Sequence, residues 1–276
     1  MLFRSYISDV TKPEERAKSF ALIGIAFGMG FLIGPGISGF LVQYSYQYPI
    51  FAAAALSATS ILATYFLLPS GAPAAAEGSA PGKFRILDWG NYVRYFRQPG
   101  LAPLLWQFLA FTLTFAMFMS GFPLFAERRY VWHGRAFGPK EVGYVYAYLG
   151  FLGVILQGGL IGRLVKVFGE MNLVRAGFAL GVVGLAALGF TYGVPLLLLI
   201  SAVAMSGMGV IRPALTSLIT QKAARSEQGV VLGLTQSLNS VSAIVAPAIG
   251  GLLIDHSLLV AWAVTAAGIS GVALLF

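Results

Sequence analysis

The chain has 276 residues, 58% of them hydrophobic and only 10% charged, whereas soluble globular proteins devote about a quarter of their residues to charge. Its net charge of +8 is spread over several loops instead of one basic face or tail, so nucleic acid is not expected as a partner. The absence of cysteine excludes disulfides, thiolate metal sites and cysteine nucleophiles.

A helix needs roughly 17 to 25 apolar residues to cross a bilayer. Eight such runs occur, near 19–42, 49–68, 101–126, 141–167, 172–192, 194–220, 229–254 and 256–276, which predicts an all-α polytopic membrane protein. The opening residues, MLFRSYISDV, lack the apolar core and cleavage site of a signal peptide. They read as the last turn of a helix whose beginning is absent.

The first run contains GFLIGPGISGFL. Gly30, Gly34 and Ser38 recur at i, i+4 and i+8, so they form one smooth stripe against which a neighbouring helix can approach and slide. Pro35 removes a backbone hydrogen bond and bends the helix. Tight packing without motion is the plainer reading of the same residues.

Between the second and third runs, residues 69–100 begin as a Pro/Gly/Ala linker. They end as an amphipathic stretch in which Phe84, Ile86, Leu87, Trp89, Tyr92, Tyr95 and Phe96 alternate with Lys83, Arg85, Arg94 and Arg97. That pattern suits a short helix at a membrane surface.

The polar residues available to line a cavity lie in the later runs: Gln107, Gln157, Gln236 and Asn239. They are accompanied by Phe111, Phe115, Phe118, Phe122, Tyr144 and Tyr148. An aromatic pocket with a few amides suits amphipathic molecules better than sugars or phosphorylated substrates; each amide taken alone also reads as a tie between helices. Arg212 is the one charge well inside a run, a costly position that marks a pathway unless the side chain snorkels to the headgroups. His133 and His256 fall in predicted loops and read as solvated.

Thirteen of the eighteen basic residues fall in alternate connections: Arg4, Lys12, Arg16 and Lys18; Lys83, Arg85, Arg94 and Arg97; Arg163, Lys166 and Arg175; Lys222 and Arg225. The positive-inside rule makes that side, with both chain ends, cytoplasmic. Arg128, Arg129, Arg135 and Lys140 are the exceptions.

The chain also repeats itself. A displacement of 212 residues brings Ser5 onto Ser217, Glu15 onto Glu227, Pro35 onto Pro247 and Gly39 onto Gly251 without a gap. The first two runs are thus counterparts of the last two. The four runs from residue 101 have no counterpart ahead of residue 1, which suggests that roughly 112 residues, about four helices, are missing from a six-plus-six architecture of about 390 residues.

These residues resemble the major facilitator superfamily of secondary transporters, and the resemblance covers essentially the whole chain. Gly30, Gly34, Pro35 and Gly39 are similar to that family's fifth-helix antiporter motif, with Ser38 in place of one glycine. Ser242, Ala246, Pro247, Gly250 and Gly251 form a weaker eleventh-helix copy. GGLIGRLVKVFGE, with Gly162, Arg163, Gly169 and Glu170, resembles the cytoplasmic loop motif, although Lys166 stands where many members carry an acid. The span from Leu104 to Arg129 is similar to the seventh helix of the tetracycline-efflux type.

The resemblance implies a helical bundle holding about eight of the family's twelve helices. Residues 1–68 are the remainder of an N-terminal half, 69–100 a cytoplasmic linker and 101–276 a C-terminal half. It further implies efflux of drugs or small amphipathic compounds by alternating access, with membrane lipid and a small-molecule substrate as partners, the proton as coupling ion and no cofactor. An importer of the same fold and a truncated remnant without transport are the alternatives. An enzyme is not expected, since there is no intramembrane histidine, no cysteine, no acidic pair or metal-ligand cluster and no phosphate-binding loop followed by lysine.

Overall fold

The computed structural model describes residues 29, 30, 33–67, 93–223 and 227–276. Each expected run contains a helix: α1 (33–41), α2 (Gln47–Leu67), α3 (Ala102–Arg129), α4 (Pro139–Phe168), α5 (Glu170–Leu188), α6 (Val194–Lys222), α7 (Gln228–Asp255) and α8 (Leu259–Val272). Six of these, α2 to α7, are long and apolar enough to cross a membrane. Most of the first run, the Pro/Gly/Ala linker and most of the amphipathic stretch lie outside the described residues.

The core is built on α3, whose Leu105, Met117, Phe118, Phe122 and Phe125 are fully buried. α7 and α8 pack against it, and α5 packs against α6 and α8. Small residues make the closest contacts. A side chain at Gly184 would begin 2.7 Å from the Ala204 Cβ, and one at Gly207 2.6 Å from the Gly177 carbonyl oxygen. This is how membrane helices gain dispersion contacts where burial from water supplies no drive. Gly121 and Gly250 leave room for the buried indole of Trp262, which stacks on Phe125 at 4.9 Å.

Buried polar groups tie α3 to its neighbours. Thr112 and Ser242 share a hydrogen bond of 2.8 Å, and Ser270 donates to Thr114 at 3.2 Å. By contrast, α2 carries no buried residue across its apolar window.

Two local features differ from the all-helical expectation. Between α3 and α4 a small antiparallel hairpin pairs Val131 with Ala136 and Trp132 with Arg135. Its two-residue turn places His133 at φ 50° and Gly134 at φ 76°, the double left-handed turn whose twist matches paired strands. Within α4, residues Leu156–Leu160 form a π turn, a wider coil common at functional positions in helices. His256 caps the end of α7, its Nδ1 2.9 Å from the Leu252 carbonyl oxygen, instead of standing free in a loop.

Candidate functional site

The expected antiporter motif from Gly34 to Gly39 lies on α1, which approaches α4. A Cβ on Gly143 would sit 2.6 Å from the Gly39 Cα and 2.8 Å from the Pro35 carbonyl oxygen. One on Gly36 would sit 3.4 Å from the Ala147 Cβ. The two backbones are in direct contact, and glycine at both 39 and 143 is what permits it.

The contact face is not the predicted stripe. Gly30 and Gly34 have no described neighbour within 4 Å of a built Cβ; the touching residues are Pro35, Gly36 and Gly39. Ser38 lines a cleft of 290 Å³ beside the contact, together with Pro123 and Glu127 of α3, Phe137, and Val142 and Tyr146 of α4.

The eleventh-helix copy uses a different face again. Gly250 is buried against Trp262, while a Cβ on Gly251 meets nothing within 4 Å. Ser242 and Ala246 are buried and Pro247 is half-buried. Residues matched by the repeat therefore face unlike surroundings.

The cavity candidates separate into groups. Gln107 is 1% exposed, and its Nε2 donates to the Ala273 carbonyl at 3.2 Å; it ties α3 to the end of α8. Phe118 is fully buried and stacks on Phe122 at 5.0 Å. Both belong to the core and correct the expectation that they line a cavity. Phe115 is half-buried and stacks on Phe111 at 5.9 Å.

Gln157 approaches α6 beside Gly209, a contact the sequence did not reveal. Gln157 sits in the π turn of α4, and its Nε2 lies 4.0 Å from where a Gly209 Cβ would stand. Arg212 is exposed one turn further along α6, on the same side as Gly209. Pro213 cannot donate to the Gly209 carbonyl, so both helices depart from regular hydrogen bonding at this level. The glycine pair Gly158 and Gly159 inside an apolar run was the available cue. Gln236 is exposed and Asn239 half-buried on α7.

Of the loop motif, Gly162 and Arg163 are exposed. Gly169 turns the chain at φ 74°, and Glu170 opens α5 by accepting hydrogen bonds from Ser217 Oγ at 2.6 Å and Gln221 Nε2 at 2.9 Å. The carboxylate thus fastens α5 to α6. At the same end Arg94 lies 3.7 Å from Glu227, and Tyr95 is drawn into the bundle with 5% exposure. Burial raises the Tyr95 phenol above its ordinary value, and the neighbouring Glu227 carboxylate adds to the rise.

At the hairpin end, two of the charges that ran against the positive-inside pattern are spent on helix termini. Arg128 donates to the Ile254 carbonyl and lies 3.7 Å from Asp255, at the end of α7. Arg129 donates to the Gly189 carbonyl, just past α5, with its guanidinium 4.2 Å from the Tyr192 ring centre. Cations are stabilised at helix C-termini by the unpaired carbonyls there.

Long apolar helices, glycine contacts and proline breaks define a multi-pass membrane protein. Residues 2–247 and, in a second match, 158–276 fit the Major Facilitator Superfamily, and the chain belongs to that superfamily. It is 25% identical over 257 residues to Multidrug resistance protein 2 and 29% identical over 255 residues to Multidrug resistance protein 1, both of Bacillus subtilis (strain 168). It is 26% identical over 249 residues to Quinolone resistance protein NorA of Staphylococcus aureus. These alignments cover 91%, 91% and 90% of this chain, which spans 61% of the length of each relative.

Proposed function

We propose that the chain serves proton-coupled export of small amphipathic compounds by alternating access. The observation that carries this reading is the backbone contact between Gly39 and Gly143, which joins the antiporter-motif helix to the helical set beginning at residue 101. A seam without interlocking side chains lets two halves rock against each other around a central site. The resistance proteins named above support the choice of amphipathic drugs as substrates, and proton coupling rests on the antiporter motif.

In this reading residues 1–68 belong to one half, 69–100 to the cytoplasmic linker and 101–276 to the other half. Gln157, Arg212, Gln236, Asn239 and Phe115 face the substrate path. Both chain ends lie on the cytoplasmic side of the cell membrane. The engagement of Arg128 and Arg129 by helix ends supports that orientation, because it leaves Arg135 and Lys140 as the basic residues of the opposite loop not held in this way.

The test is ethidium accumulation in cells that carry the encoding gene and in cells from which it is deleted. Carrying cells are expected to hold less ethidium, and an uncoupler that collapses the proton gradient should erase the difference. Equal accumulation with the gradient intact would refute export, and higher accumulation in carrying cells would reverse its direction.

A further inference from the structure

We infer that the cleft at the hairpin end of the seam between α1, α3 and α4 is a binding site for a small aromatic cation, separate from the central substrate path. Its volume of 290 Å³ is near the lower end of the range for small-molecule sites, about 300 to 1,000 Å³. That space suits a single ring bearing a compact ammonium group. The walls are mostly apolar, from Pro35, Pro123 and Val142, with ring surface from Phe137 and Tyr146.

Among the described residues Glu127 supplies the only charge in the lining. Its carboxylate forms no hydrogen bond or ion pair among the described residues, whereas the nearby groups are occupied. Glu141 accepts from the Gly138 N–H at 2.9 Å, Arg128 is held by the end of α7, and Arg129 by the Gly189 carbonyl. The ion pairs among the described residues are Arg94 with Glu227 and Arg128 with Asp255, so Lys140 does not pair with Glu127. The rim therefore presents a carboxylate without a direct partner among the described residues beside aromatic surface, the combination that attracts organic cations.

The hydrogen-bonding groups select in the same direction. Tyr146, the phenol in the wall, already donates its proton to the Met119 carbonyl at 2.8 Å. A ligand that needs donors, such as a sugar or a carboxylate, finds little to bind here, while a quaternary ammonium needs none. The site holds for either direction of transport, and its test measures binding without flux.

The experiment uses the full chain in phosphatidylcholine nanodiscs with benzyltrimethylammonium as probe and neopentylbenzene as its uncharged isostere. Ligand-observed NMR gives the affinity of each, and empty nanodiscs give the lipid background. The chain is expected to bind the cation saturably and more tightly than the isostere. Glu127→Gln, a change at an exposed position, should weaken the cation about fivefold and leave the isostere unchanged. Ser38→Trp, also at an exposed position, should fill the cleft and abolish binding of both. Binding no greater than in empty nanodiscs, equal affinity of Glu127→Gln for the cation, or undiminished binding by Ser38→Trp would each overturn the assignment.

Discussion

The hydroxyl of Tyr146 on α4 donates to the carbonyl oxygen of Met119 on α3 at 2.8 Å, and its cause lies four residues further along α3. Pro123 has no N–H, so the Met119 carbonyl loses the helical partner it would otherwise have. In a membrane such a break persists only where another group takes up the freed carbonyl, and Tyr146 does so. Tyr146→Phe is therefore expected to destabilise the bundle by about 1 to 2 kcal/mol. The decisive measurement is a double-mutant cycle of thermal unfolding in detergent. In a Pro123→Ala background the helix regains its own bond, and Tyr146→Phe should cost much less; an equal cost in both backgrounds would refute the pairing.

The contact of α1 with α4 makes a direct geometric prediction. The Gly36 and Ala147 Cβ positions are 3.4 Å apart, close to the separation of about 3.5 to 4.5 Å in disulfides. Because the chain has no cysteine, Gly36→Cys with Ala147→Cys should give one intramolecular cross-link on mild oxidation, read as a mobility shift reversed by reductant. Adding Gly143→Leu should suppress it by forcing the helices apart. Efficient cross-linking in that triple variant would show that the glycine contact does not set the approach of α1.

The positions of the spans were legible because length and continuous hydrophobicity are nearly sufficient to define a membrane helix. Which face each helix uses was not. Between residues 34 and 39 nearly every position is small or proline, so the pattern that suggested Gly30, Gly34 and Ser38 equally permits Pro35, Gly36 and Gly39. The choice is made by the neighbouring helix, where Gly143 and Ala147 meet Gly39 and Gly36.

The amides illustrate the same limit. Gln107 and Gln157 occupy similar apolar runs, yet Gln107 is buried against the Ala273 carbonyl while Gln157 is exposed on the π turn. A side chain's role as tie or lining depends on the neighbouring helix, and sequence composition is silent on neighbours. Arg128 and Arg129 looked anomalous only while their helix-end carbonyl partners were out of view.

Glu170 joins the start of α5 to α6 through Ser217 and Gln221. Hydrogen bonds to a charged group are worth about 1.5 to 3 kcal/mol when buried, and partial exposure of this network lowers the figure. Glu170→Ala is expected to loosen the last turns of α6 without moving the hairpin end. Hydrogen exchange read by mass spectrometry should show faster exchange across residues 217–222 and unchanged exchange near Thr191. Uniform acceleration at both ends would mean that Glu170 supports the whole bundle and is not a local fastening.

Arg129 and Arg128 have the same chemistry and different surroundings, so their removal should have unequal effects. Arg129 is half-buried, donates to the Gly189 carbonyl and lies over Tyr192. The Arg128 side chain is 40% exposed and its acidic partner Asp255 is 80% exposed, a setting in which an ion pair contributes at most about 1 kcal/mol. Arg129→Gln is accordingly expected to lower the unfolding midpoint more than Arg128→Gln. Arg129→Lys should recover only part of the loss, since an ammonium lacks the planar fork that donates and stacks at once. Raising the salt concentration separates the contributions: it should reduce the effect of Arg128→Gln and leave most of the effect of Arg129→Gln, because screening weakens exposed charge pairs more than a half-buried hydrogen bond to a carbonyl. Equal losses with equal salt dependence would show that both arginines act only as surface charges.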